Sequence, residues 1–197
     1  MRNLVHLRRL ILARTDSRID YVGAHGKGSL LYCRNGFHGT NESVIPRIRG
    51  VFLANQTRAV KLNGEAVQIP QATVPAVRAI VAAAQGWELP DPFAKRLVQF
   101  AGQLPPVSVR LAPLHRAGFQ PMSSYMEIHR QMINKGACRL DSYLREAGNA
   151  SELDRRLRTF LVCFSLGLIA PAKPNHTKEE SGRLSVLARI IQRVRGL

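Results

Sequence analysis

Acidic residues are scarce in this chain. Thirteen Asp and Glu stand against 29 Lys and Arg in 197 residues, a formal net charge of +16. So few carboxylates argue against a carboxylate-held catalytic metal, and no paired-carboxylate site can be assembled from them. Neither a Ser-His-Asp set nor an HExxH motif can be assembled. Cysteine is nearly absent: Cys33, Cys138 and Cys163 are widely separated and odd in number. That fits no disulfide framework and no CxxC zinc knuckle, and it points to a reducing, cytoplasmic compartment. Aromatic residues make up 6% and do not interleave with the basic ones, which argues against a base-stacking platform for single strands. No run of 18 apolar residues occurs, so no membrane span is expected. No repeat of solenoid length occurs either.

What is abundant is arginine. Of the 29 cations, 6 are lysine and 23 arginine. The guanidinium is a planar fork that pairs bidentately with phosphate, so the excess points to a polyanion, most simply nucleic acid. A GC-rich genome would also raise the arginine count. The charge is concentrated at the ends: +7 over residues 1–58 and +5 over 151–197, against +3 and +1 between them. The opening "MRNLVHLRRLILAR" is Arg-rich and free of acids, as in an organelle presequence. It reads as a basic amphipathic helix or a first strand, with Arg8 and Arg9 as candidate phosphate contacts.

The pattern predicts an α+β protein. Residues 1–104 form a β-rich region with two following helices, residues 105–120 a Pro-rich connection, and residues 121–197 a mainly helical, winged-helix-like region. "IDYV", "SLLYC", "GVFLA" and "RAVKLNG" are short runs split by Gly and Asn, as strands are. "LNGE" at 62–65 signals a hairpin between "RAVKL" and "EAVQI". "TVPAVRAIVAAAQG" predicts a helix capped by Thr73 and stopped at Gly86. "DPFAKRLVQFAGQ" predicts another, with Asp91 as N-cap, Pro92 at N1 and Gly102 past the end. Further helices are expected over 121–136, over "CRLDSYLREAG" and over "NASELDRRLRTFLVCFSLGLIA", the last opened by a Ser151/Asp154 capping box. Leu153, Leu157, Phe160, Leu161, Phe164 and Leu168 make its apolar stripe. At least two of Arg155, Arg156 and Arg158 should face solvent. A basic amphipathic helix closes the chain and offers a seam for a homodimer.

The most crowded stretch is "YVGAHGKGSLLYCRNGFHGT". It lacks the first Gly of a phosphate-binding G-x-x-x-x-G-K-[ST] loop, and Gly28 replaces the final hydroxyl residue. "VGAHGKG" is similar to the GXXG loop of KH domains, although Gly28 and Ser29 suit the following helix poorly. His25, Cys33 and His38 offer three zinc ligands at irregular spacing. The plainer expectation is a hairpin joined by a mobile glycine loop, with Lys27 and Arg34 as phosphate contacts. "HGTNESVIPRIRGVF" resembles the first motif of diphtheria-toxin-like ADP-ribosyltransferases. That resemblance implies that His38 orients the ribose of NAD. The family also requires a Tyr on a later strand and a catalytic Glu. Tyr125 and Glu127 fall on an expected helix here, and Pro46 interrupts the helix the motif should begin.

The last segment resembles a winged helix. That resemblance implies a third helix docked in a DNA groove, with Arg155, Arg156 and Arg158 near the bases and Lys173 and His176 in a wing. The leading expectation is therefore a non-enzymatic nucleic-acid-binding protein, DNA rather than RNA, in a regulatory or structural role. No cofactor or metal is expected. The alternatives are an ADP-ribosyltransferase-like enzyme and a protein-interaction subunit of a larger, ribonucleoprotein assembly.

Overall fold

The computed structural model describes residues 1–14, 16–23, 26–33, 36–62, 72–109 and 138–172. They form an α+β arrangement: an N-terminal antiparallel sheet followed by helices. Helix α1 (Arg2–Ala13) is the basic opening segment; its Leu4, Leu7 and Leu10 recur at helical spacing and are all buried. Strands β1 (Ser17–Gly23), β2 (Gly26–Cys33) and β3 (Gly36–His38) follow, then α2 (Asn41–Leu53) and β4 (Gln56–Lys61). Next come β5 (Thr73–Pro75), α3 (Ala76–Ala84), α4 (Asp91–Gln103) and β6 (Val107–Val109). The later described part contains α5 (Leu140–Arg145), α6 (Ala150–Ser165) and β7 (Ile169–Pro171).

The sheet order is β4-β1-β2-β3-β5, and every neighbouring pair is antiparallel. Strands β6 and β7 form a separate antiparallel pair. Period-2 alternation sends Ile19, Leu30, Tyr32 and Phe37 into the core, beneath α1 and α2. Helix α6 packs against α1, α3, α4 and α5. One contiguous apolar cluster thus runs from Leu4 to Ile169. A fully buried Leu or Phe in it stabilises the fold by about 1.5–3 kcal/mol.

Several local expectations need correction. "GVFLA" is not a strand: Gly50 to Leu53 complete α2, because Val44, Ile48, Val51 and Phe52 continue a helical apolar face. Pro46 does not interrupt that helix. Its missing N–H frees only the carbonyl of Glu42, and both residues are exposed to water. Thr73 is a strand residue paired with His38, and the N-cap of α3 is Pro75. Asp91 is the first residue of α4 rather than its cap, and Gly102 lies inside the helix. Helix α6 is capped by Asn149, whose side chain accepts from Glu152 N at 2.8 Å. Glu152 in turn accepts from Gly148 N, so the reciprocal box lies two residues before the expected Ser151/Asp154. Gly26, Lys27 and Gly28 belong to β2, so no glycine loop joins the hairpin; only residues 24 and 25 separate the strands. The expected "LNGE" hairpin turn, the helix over 121–136, the wing and the terminal helix lie outside the described residues.

A tyrosine slot locks the sheet to α2. A Cβ on Gly28 of β2 would stand 2.4 Å from the Tyr21 ring, and one on Gly50 of α2 would stand 2.6 Å from it. Both positions need a hydrogen where the ring passes, and burial raises the phenol's pKa against the opposing pull of Arg47. Gly50→Ala should therefore cost about 1–2 kcal/mol, by overpacking. In a Tyr21→Ala background the same change should instead stabilise by up to ~1 kcal/mol, as alanine replaces glycine in a helix. Urea unfolding of the four proteins reads this change of sign; equal costs in both backgrounds would show that the ring does not fill the slot.

Candidate functional site

The side of β2, β1 and β4 opposite α1 and α2 carries an ordered polar grid. The registers align Lys27 with Val22 and Gln56, Ser29 with Asp20 and Arg58, and Leu31 with Arg18 and Val60. Most of these nine are exposed; Asp20, Leu31 and Val60 are half-buried. Arg18 holds Asp20, with Nε to Oδ1 at 2.9 Å. Lys27 and Arg58 have no ion-pair partner among the described residues. A shallow concavity of about 460 Å³ opens at the β1–β2 and β1–β4 ladders, lined by Asp20, Val22, Lys27, Ser29, Gln56 and Arg58 among others. The alternation in "SRIDYV" and "QTRAVK" could have revealed Arg18 and Arg58 as partners of Lys27 on one face; the sequence reading singled out Lys27 alone.

The expected recognition helix is built differently from the expectation. On α6, Arg155 is exposed, Arg158 is half-buried and ion-paired with Asp154, and Arg156 is buried. Only Arg155 of the three is exposed, and it too lies 3.8 Å from Glu152 Oε1. The cause is tertiary. Arg156 donates from Nη1 to Tyr143 O at the end of α5 and from Nε to Glu152 Oε1 at 3.0 Å, and lies 4.9 Å from the centre of the Tyr143 ring. The Gly148 amide, followed by Arg156, holds the Glu152 carboxyl below its ordinary range. That stabilisation is present above the ordinary carboxylate pKa and is lost as pH falls through the lowered one.

Arg8, an expected phosphate contact, is committed in the same manner. It donates to Phe164 O at 2.8 Å and Ile169 O at 2.7 Å, with its guanidinium 4.8 Å from the Phe164 ring centre. Arg49 repeats the arrangement at the end of α3. It donates to Ala83 O and Gln85 O and lies 5.5 Å from the Trp87 ring centre. The last carbonyls of a helix have no intrahelical donor, and a cation there also suits the helix dipole. Asn3 serves the end of α2 through Val51 O and Phe52 O, and the Tyr32 hydroxyl reaches Ile11 O of α1. Part of the arginine excess thus closes helix ends inside the protein. No local sequence signal marks these residues, because each acts on a distant element.

Arg9 is exposed on α1, and Lys27 is exposed on the sheet. Arg34 and Lys173 lie outside the described residues. Among the described residues the predicted cations are spread over three elements: Arg8 and Arg9 sit on α1, Lys27 on β2, and the three arginines on α6. The exposed charge of the described residues is nonetheless lopsided, with fourteen exposed Lys and Arg against five exposed Asp and Glu.

His38 ends β3 and is 4% exposed, with both ring nitrogens buried and unpartnered. Gly39 follows at φ 128°, and Thr40 caps α2. The "HGT" tripeptide therefore forms a strand-to-helix turn, with its histidine enclosed. Cys33 and Cys163 are buried as well, and burial raises the Cys163 thiol far above its ordinary pKa, which suits packing rather than nucleophilic chemistry. No group of three His, Cys, Asp or Glu able to hold a metal occurs among the described residues. No helix among them is long and apolar enough to cross a membrane. Compared with protein-family models, curated proteins and solved structures, the chain matches none.

Proposed function

We propose that the protein is a non-enzymatic nucleic-acid-binding protein that holds duplex DNA by its phosphate backbone. The observation that carries this reading is the surface imbalance: exposed cations outnumber exposed carboxylates almost three to one among the described residues. Such a field attracts polyanions and speeds their encounter. The mode differs from that of a recognition helix. Arg156 is enclosed and Arg158 is paired with Asp154, so α6 does not offer three free forks to base edges. Contacts spread over several elements favour positioning on phosphate over direct base readout. The enzymatic alternative would need an open cleft at His38, and the low exposure of that ring, 4%, favours the binding reading.

Salt titration tests the reading. For nuclease-treated protein, log affinity for a random duplex should fall linearly with log salt, by about 0.9 per phosphate contact. With about six contacts, affinity should drop on the order of a thousandfold between about 50 and 200 mM salt. Binding that is indifferent to salt, or no binding at about 50 mM salt, would overturn the proposal.

A further inference from the structure

The open β2-β1-β4 face has the chemistry of a backbone seat. Nine side chains project from it in three cross-strand rows, and none is aromatic. A sheet that reads single strands stacks bases on aromatic rings. Here Val22 stands in the first row and Asp20 in the middle one, so a base has no aromatic partner. The fixed cations are Arg18, Lys27 and Arg58, against the single acid Asp20. Arg18 is engaged by Asp20, which leaves Lys27 and Arg58 on opposite sides of β1. They are two strands apart and two residues out of step, hence about 12 Å between Cα atoms. That spacing lets the two take different phosphates of one duplex rather than compete for one, since successive phosphates advance about 3.4 Å along each strand. Ser29 and Gln56 add neutral hydrogen-bonding groups at the concavity between them.

We propose that this face seats the backbone of duplex DNA, with Lys27 and Arg58 as the charged contacts and Ser29 and Gln56 as hydrogen-bonding ones. The assignment rests on the nucleic-acid reading above and names its surface. Charge complementarity selects the occupant: Lys27 and Arg58, without an ion-pair partner among the described residues, stand beside the hydrogen-bonding groups of Ser29 and Gln56. The other exposed large apolar side chains, Leu12 and Val98, lie on α1 and α4.

The test is anisotropy with a labelled random duplex over about 50–200 mM salt. The Lys27→Gln/Arg58→Gln variant should show a salt slope flatter by about 1.8 and an affinity lower on the order of fiftyfold near 0.1 M salt. A control pair on α4, Lys95→Gln/Arg96→Gln, should change neither by as much. Ser29→Lys adds a cation to the seat and should steepen the slope by about one unit, which keeps the proposal testable if the double variant unfolds. If the unmutated protein binds with a steep slope but the sheet and control pairs behave alike, the seat is elsewhere and the nucleic-acid reading stands. If the unmutated protein fails to bind duplex, both fall. If polyglutamate displaces the probe as well as unlabelled duplex does, per unit charge, the face takes an acidic protein surface and the duplex seat is overturned.

Discussion

Arg156→Ala should destabilise the protein by about 2–3 kcal/mol and lower its melting temperature by roughly 5–10 °C. The side chain is 6% exposed, and its fork is divided between Tyr143 O and Glu152. Truncation leaves the Tyr143 carbonyl without this donor, removes the cation from the Tyr143 ring and takes from Glu152 one of its partners, leaving the Gly148 amide and Arg155. Such losses are large because a buried polar group without its partner carries its full desolvation cost. Arg156→Lys should recover less than half of the loss, since an ammonium is a point donor and cannot serve a carbonyl and a carboxylate in one plane. Arg155→Ala, two-fifths or more exposed, should stay within about 0.5 kcal/mol of the unmutated protein. Denaturant unfolding measures all three. A fully stable Arg156→Ala protein with reduced DNA affinity would restore the groove-reading role for α6 and refute the enclosed role assigned to it here.

Gly167→Ala should cost about 1–2 kcal/mol in backbone strain, with a smaller addition for moving the exposed Leu12 side chain aside. Gly167 follows the C-cap of α6 with φ 70°, a left-handed conformation that disfavours a side chain. Its amide donates to Phe164 O at 3.1 Å, and Leu168 N reaches back to Cys163 O at 2.9 Å, closing the helix in a Schellman motif. Space is short as well: an added Cβ would meet Leu12 Cδ2 at 2.5 Å. Arg8 fastens the same corner through Phe164 O and Ile169 O, so α1 and the end of α6 are held twice. The double change Gly167→Ala/Leu12→Ala should relieve the clash and keep only the backbone strain, about 1–2 kcal/mol. If Gly167→Ala unfolds at the same urea concentration as the unmutated protein, the corner is looser than the geometry says. Gly86, also left-handed at φ 60° but with nothing within 4 Å of an added Cβ, should show the strain cost alone on substitution.

The sequence by itself determined the elements whose cause is local. The short apolar runs "IDYV" and "SLLYC", set off by glycines, mark β1 and β2, and their register is held because one face must be buried and a slip of one residue would reverse it. The stripe from Leu153 to Phe164 marks α6, and Asp91, Pro92 and Gly102 locate α4, whose ends run one residue earlier and two later than those signals imply. Misreadings arose where two periods agree with the same letters: "GVFLA" is apolar enough for a strand, yet it completes the helical face begun at Val44. What only the tertiary structure decided is what each arginine does. Arg8, Arg49 and Arg156 carry the same fork as Arg9, Arg58 and Arg155, and no neighbour in the chain distinguishes them. The difference is whether folding brings the end of another helix within reach. Arg8 meets carbonyls 156 and 161 residues away, and Arg49 meets them 34 and 36 residues away. A helix end with unsatisfied carbonyls takes the nearest strong donor that packing supplies, and that pairing is a property of the assembled fold.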